Sequence, residues 1–298
     1  MSGYYEWKQL VHADEYVLFR ENIGTHISID ETCLSSGELY TIITNKAACG
    51  RQGSLIGMIK GTKSEEVIRH LMLLPRSKRL KVKEITLDLS PTMMLIARKS
   101  FPNAIQVSDR FHVQRLMNEA VNDLRVNYRW QAIDLENAEI ELAKETKRKY
   151  IPHTFGNGDT RRQLLARCRY VVMKHHSKWT NNQRIRAEIL FEEYPEIEEA
   201  YKISLELTDI YNRHIHKDIA LAKMAGWYDK VEKLNLKFFK SVVETMKNNY
   251  QTIVNYFINR STNASAESFN AKVKAFRAQF RGVRDIPFFI FRLTKLFA

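Results

Sequence analysis

The sequence predicts a mixed α/β protein, with one sheet early in the chain and a long helical block after it. Three observations carry this. Short β-branched runs crowd into residues 26–60, divided by Ser- and Gly-containing turns. Two further strand-like runs then alternate with helix-like ones as far as Asp109. Beyond Asp109 helical periodicity takes over with few breakers. Antiparallel neighbours followed by helix-crossed strands make a mixed sheet.

The elements follow in order. Residues 1–22 read as an entry segment of aromatic and mixed-charge residues. "HISIDET" (26–32), "ELYTIITN" (38–45) and "SLIGMIK" (54–60) read as three strands. "KSEEVIRHLMLL" (63–74) reads as a helix with Ser64 as its N-cap. "EITLDL" (84–89) is a fourth strand, Ser90-Pro91 starts a short helix, and "AIQVSD" (104–109) is a fifth strand. Residues 110–260 hold several long helices, broken most clearly at "GNGDT" (156–160) and "YP" (194–195). The expected organisation is therefore an entry segment (1–22), a first core part (23–109), a helical insertion (110–260) and closing helices (261–298).

Bulk properties narrow the function classes. The chain has 298 residues, 44% of them hydrophobic, enough for one large domain or two smaller ones. Forty-seven Lys and Arg stand against 34 Asp and Glu, a net charge of +13. That balance favours a polyanionic partner, although any single basic run also fits a solvated helix face. Cys33, Cys49 and Cys168 are scattered without a CxxC pair, which argues against a disulfide framework or a Cys-based zinc site. The start "MSGYYEWKQL" lacks the apolar stretch of a signal peptide, and no apolar run approaches the roughly 20 residues of a membrane span. A cytoplasmic location follows as the expectation. His214 and His216 have a metal-like spacing but no third ligand near them in sequence.

Three carboxylates stand out. Ile85, Leu87 and Leu89 alternate like a buried strand face, and Asp88 sits near the end of that run. Ile27 and Ile29 define one face of an earlier strand, and Asp30 falls on the other, at that strand's end. Strand ends favour Asp for turn chemistry, but carboxylates from neighbouring strands also share divalent metals. Glu267 lies in "STNASAESFNAKVKAF" (261–276), a helix that Ser261 or Asn263 could cap. Its apolar stripe is Phe269, Val273, Phe276 and Phe280. Glu267 falls opposite that stripe, near Ala264, Ala271, Ala275 and Ala278, so either solvent or another backbone faces it.

The order of these motifs resembles the DDE transposases of the ISL3 insertion-sequence family, in the version found in the ISAon group. The pieces are "SIDET", "LDLSPTMMLIARKSFPNA", "VSDRFHVQRLMNEAVNDLR", "WTNNQRIRAEILFEEYPEIEEAY" and "NYFINRSTNASAESFNAKVKAFRAQFRGVRDIPFFIFRL". The resemblance implies a ribonuclease-H-like fold: a mixed five-stranded sheet with a large helical insertion before the helix that carries the last catalytic acid. It implies Asp30, Asp88 and Glu267 as catalytic acids holding two Mg²⁺ (or Mn²⁺) ions. Asp109, His112 and Asn270 become candidates to stand behind those ligands, Asp109 and His112 alternatively to contact DNA, with helix capping an equal reading for Asp109. Lys272, Lys274, Arg277, Arg281 and Arg284 become candidate DNA contacts, or else a basic exposed helix.

The implied activity is metal-dependent cleavage at the ends of a bacterial mobile element and strand transfer into target DNA. The partners would be double-stranded DNA and a second copy of the chain, with the nucleoid as location when DNA is bound. With Asp30 so early and no CxxC before it, end recognition is expected from a separately encoded protein. A structure-specific nuclease of the same fold and an inactive DNA-binding relic are the alternatives.

Overall fold

A computed structural model describes residues 3–34, 38–280, 282 and 285–298. Its sheet has six strands: β1 (Tyr16–Leu18), β2 (His26–Cys33), β3 (Leu39–Asn45), β4 (Leu55–Lys60), β5 (Glu84–Leu87) and β6 (Ile105–Ser108). They lie side by side in the order β1-β4-β3-β2-β5-β6. The pairs β2–β3, β3–β4 and β1–β4 are antiparallel, while β2–β5 and β5–β6 are parallel.

The strand count corrects the expectation of five. The extra strand comes from the segment read only as a lead-in. Its three residues are too short to show an alternation, and it forms because β4 offers a free edge, with Tyr16 opposite Ile59. The other five strands fall on the segments read as strands, although β5 stops at Leu87 and leaves Asp88 and Leu89 outside the ladder.

One face of the sheet is covered by α1 (Ser64–Leu71) and α3 (Pro91–Ser100), with the short α2 (Arg76–Arg79) between them in sequence. Ile27, Ile29, Ile85 and Leu87 pack there with Val67, Leu71, Met93 and Ile96. Ser64 opens α1 but does not cap it; Lys63 holds the N-cap position without a side-chain bond. Ser90 does cap α3, its hydroxyl accepting from the Met93 amide, and Pro91 fits the first turn.

The chain divides into two units. The sheet belongs to one of them, with residues up to His112 and Asn249–Ala298; the other is Val113–Asn248. The first unit therefore includes α10 (Tyr250–Val254), α11 (Tyr256–Asn259), α12 (Ala264–Gln279) and α13 (Ile286–Phe297). Phe269 and Val273 of α12 join Phe289, Ile290 and Leu293 of α13 over Tyr40, Ile42, Leu55 and Met58 on the second face of the sheet.

The helical unit starts within α4 (Arg110–Glu145), whose 36 residues span about 54 Å. It continues with α5 (Arg161–Arg167), α6 (Asn181–Glu193), α7 (Pro195–Asn212), α8 (Lys217–Leu234) and α9 (Lys240–Asn248). Two Thr-x-x-Gln sequences build capping boxes, Thr160 with Gln163 on α5 and Thr180 with Gln183 on α6. Trp227 is buried on α8, and its indole N–H donates to the Ile203 carbonyl of α7 at 2.9 Å.

Asp159, in the Gly-Asn-Gly-Asp interruption, is fully buried and holds this unit's entry together. Arg167 of α5 and Arg186 of α6 both donate to its carboxylate, the latter at 2.8 Å. Burial works to raise the Asp159 pKa, but the two guanidinium hydrogen bonds prevail and hold it below the usual carboxylate value. Replacing Asp159 by Asn leaves two cations without their counter-charge and should destabilise the unit by about 2–3 kcal/mol in denaturant unfolding. The pairing contributes fully above the unfolded carboxyl value near 4 and is lost as pH falls through the depressed folded value. The stability gap between wild type and Asp159→Asn should accordingly shrink in acid; a gap that widened would contradict it.

Candidate functional site

The parallel ladders fix the site. Ser28 lies opposite Thr86 in β2–β5, and Leu87 lies opposite Ser108 in β5–β6. Continued past those pairs, the same register sets Asp30 beside Asp88 and Asp88 beside Asp109. Three neighbouring strands thus deliver three aspartates to one level, where their parallel pairing ends. The carboxyl end of parallel strands is where α/β sheets bind ligands. Asp30 is not itself at a strand end, since β2 runs on to Cys33 against β3 alone.

Asp30 shares its face with Ser28, away from the Ile27 and Ile29 side. Below it the sheet carries a polar floor. Glu84 is buried, accepts from Asn259 at 2.8 Å and lies 3.8 Å from the Lys46 ammonium. Lys46 also donates to the Thr86 hydroxyl at 2.7 Å. Burial lowers the Lys46 pKa, while Glu84 and Asp109 act to raise it. Nothing in the sequence marks Lys46, Glu84 and Asn259 as a group; the pairing of β2, β3 and β5 creates it.

Helix α12 brings the fourth carboxylate. Its Phe269 and Val273 are buried against the sheet, and Phe276 and Phe280 pack at the margin of the same cluster. Ala264, Ala271, Ala275 and Ala278 are exposed, so the small-residue face meets solvent. Glu267 is exposed too, but Asn270 one turn later is buried and donates to the Asp30 carboxylate at 2.6 Å. Glu267 and Asn270 thus share the flank of α12 turned to the strand ends.

The N-cap position of α12 is Asn263, without a side-chain cap. Its backbone N–H donates to Asp109 at 3.2 Å. Asp109 also receives the Phe111 amide at the start of α4, so the capping reading of Asp109 holds alongside any other. His112 on that first turn places Nε2 2.7 Å from Asp88 Oδ1, at ion-pair distance but without hydrogen-bond alignment.

The electrostatics follow from this crowding. Burial first, and the Asp88 carboxylate second, push the Asp30 pKa up to about 6, with Glu267 adding to the shift and His112 opposing it. Burial, then Asp109 and Asp88, raise Glu267. Burial also raises Asp109. Among the described residues, the one group of ligand-bearing side chains close enough to share an ion is Asp109, His112 and Glu267, whose ligand atoms lie within 4.8 Å of one another. The clefts of the helical unit, such as that lined by Glu206, Trp227 and Lys230, hold no such group.

The sequence profile of the ISL3-type DDE transposases, described as "Transposase", matches residues 27–293. The chain belongs to this transposase family. No curated protein and no solved structure matches it. Among the described residues, no helix of the transposase is long and apolar enough to cross a membrane.

The basic residues after Glu267 are not equivalent in the transposase. Lys272 donates to the Gly50 carbonyl at 2.9 Å. Gly50 has φ +72°, and a Cβ there would sit 3.1 Å from the Lys272 ammonium, so both backbone and neighbour ask for glycine. Arg277 has a side chain only 12% exposed, lies 3.5 Å from Glu38 and stacks over the Phe289 ring at 5.1 Å. Lys272 and Lys274 are both exposed, and of the two Lys272 is the one tied to a backbone carbonyl. Arg281 and Arg284 lie outside the described residues. His216, in turn, holds the N-cap position of α8, its ring accepting from the Asp218 amide.

Arg277→Ala should therefore act on stability, lowering it by about 1–3 kcal/mol in denaturant unfolding through the lost ion pair and ring contact. Lys274→Ala should stay within about 0.5 kcal/mol of wild type. Equal stability of the two variants would contradict this division.

Proposed function

We propose that the chain cuts phosphodiester bonds at the ends of an insertion sequence and joins the freed 3′-hydroxyl to target DNA, with Asp30, Asp88 and Glu267 as its catalytic acids. The observation that carries this reading is the register that sets Asp30 beside Asp88 on adjacent parallel strands, with Glu267 near enough to raise the Asp30 pKa. The antiparallel β4-β3-β2 and parallel β2-β5-β6 order supports a ribonuclease-H-like core, with β1 added at its edge. The same reading makes the helices between β6 and α12 an insertion into that core.

The residues fit a divalent cation. All the donors of the three acids are hard oxygens. Asp88 Oδ1 is buried without a hydrogen-bond partner among the described residues, and burial and like charge hold Asp30 and Glu267 toward their neutral forms. Asp30 and Asp88 would be primary ligands of one Mg²⁺ or Mn²⁺, and Glu267 would hold a second. Bound there, the ions supply Lewis-acid stabilisation of phosphoryl charge and an acidified water. The chain's own part is to position. Asn270 fixes one oxygen of Asp30, His112 faces Asp88, and the α12 flank with Lys274 meets the phosphate backbone. Phosphate contacts of this kind set register without reading sequence. A homodimer on DNA belongs to the reading, and the ISAon-group resemblance adds a separately encoded end-binding protein.

The test is a strand-transfer assay with an element-end duplex and plasmid. Asp30→Asn, Asp88→Asn and Glu267→Gln should each abolish cutting and joining while DNA binding persists. Cutting without joining by the wild type would favour a nuclease, and full activity of Glu267→Gln would remove that residue from the site.

Binding itself should be dominated by charge, given +13 on the chain. For about 6–10 phosphate contacts, affinity should fall roughly 10³–10⁵-fold between about 50 and 200 mM salt. A nearly flat salt dependence would count against a large phosphate footprint.

A further inference from the structure

Asp109 has no part in the catalytic assignment above and His112 only faces Asp88 there, yet among the described residues both stand in the one close group of ligand-bearing side chains. Asp109 is 1% exposed. One of its oxygens, Oδ1, takes the Asn263 amide. The other, Oδ2, is buried and has no hydrogen-bond partner among the described residues. A buried carboxylate oxygen without a donor is an exception that asks for an explanation. The Asn263 side-chain amide beside it is also buried and without a partner among the described residues. Pairing of His112 with Asp88 explains the 2.7 Å contact between them but leaves Asp109 Oδ2 unanswered.

We infer that Asp109, His112 and Glu267 together bind one divalent cation, the ion assigned above to Glu267, through two carboxylates and an imidazole. The inference rests on the transposase reading only for the role of Glu267. Both Asp109 and His112 sit where backbone geometry is fixed, at the junction of β6 and the first turn of α4. Glu267 stands in the first turn of α12, whose entry is tied to Asp109 by the Asn263 hydrogen bond. The donors are therefore held before an ion arrives. The Asp88 carboxylate lies against the ring, its Oδ1 2.7 Å from His112 Nε2. The donor set also distinguishes this ion from its neighbour. A site built from Asp30 and Asp88 alone offers only oxygen and suits Mg²⁺, whereas an imidazole shifts preference toward softer ions such as Zn²⁺.

The experiment is an Mn²⁺ titration of the full chain, with free Mn²⁺ counted by electron paramagnetic resonance and bound Mn²⁺ examined for coupling to nitrogen by pulsed resonance. A bound Mn²⁺ in the wild type should couple directly to an imidazole nitrogen. His112→Gln should abolish that coupling. Asp109→Asn should weaken binding of the coupled ion by at least about tenfold, the scale of losing a group that supports a metal. Asp30→Asn should retain the coupled ion. Thermal unfolding identifies any Asp109 variant that fails to fold, and His112→Gln, checked for folding in the same way, then decides. Bound Mn²⁺ without nitrogen coupling, or coupling that survives in His112→Gln, overturns the inference. Strand transfer measured on the same wild-type sample separates the two ideas: a coupled ion without joining defeats the transposase chemistry alone, and joining without a coupled ion defeats the cation site alone.

Discussion

The parallel pairing of β2, β5 and β6 is the constraint on which the site depends. A strand register is a whole-number choice. A slip of one residue would turn every side chain of that strand to the other face of the sheet. The Ile27/Ile29 and Ile85/Leu87 pairs forbid the slip, because they are fully buried on the α1–α3 side. With those pairs locked, Asp30, Asp88 and Asp109 have no freedom to avoid one another. At an effective dielectric of about 20, like charges about 4 Å apart repel by roughly 4 kcal/mol. The apolar core on one face thus holds carboxylates together at the strand ends, and the Asp30 pKa is raised there first by burial and then by the Asp88 charge.

The polar floor explains why this crowding is tolerated. Lys46 supplies a positive charge beneath the acids, and its own burial is offset by Glu84 and Thr86. Asn259 takes the remaining oxygen of Glu84. His112 and Asn270 approach from two helices and meet Asp88 and Asp30 individually. Among the described residues, Asp88 Oδ1, which the His112 ring approaches, and Asp109 Oδ2 are two carboxylate oxygens that stay buried without a hydrogen-bond partner.

Much of the fold was legible from pattern. Strands β2 to β6 and helices α1 and α3 announce themselves by alternation, by Ser90-Pro91 and by a helix period that takes over after Asp109. The edge strand β1 was not legible, since three residues carry no periodicity and its stability comes from a partner edge. Asp30 and Asp88 could be singled out because each falls near the end of a strand-like run, on the face opposite its apolar residues. Their adjacency could not, because register is a property of pairing. Periodicity placed Glu267 opposite the Phe stripe and could not say that this flank also faces the strand ends. Basic residues were the least legible. Lys272 and Arg277 resemble any exposed cation in sequence, yet one is tied to Gly50 and the other is held by Glu38 and Phe289.

Asp109 shows how one residue can serve the fold and the site together. It closes β6, accepts from the first turn of α4 and, across 154 positions of sequence, accepts from the residue that opens α12. The chain leaves the sheet unit just after Asp109 and re-enters it at Asn249. The first turn of α4 and the entry to α12 are both tied to the Asp109 carboxylate. Structural duty of that kind needs only one oxygen, and a neutral asparagine could accept the same two hydrogen bonds without placing another negative charge beside Asp88. An aspartate is physically costly at a position where burial already disfavours its charge. The second oxygen is what the carboxylate adds, and it is the one left bare.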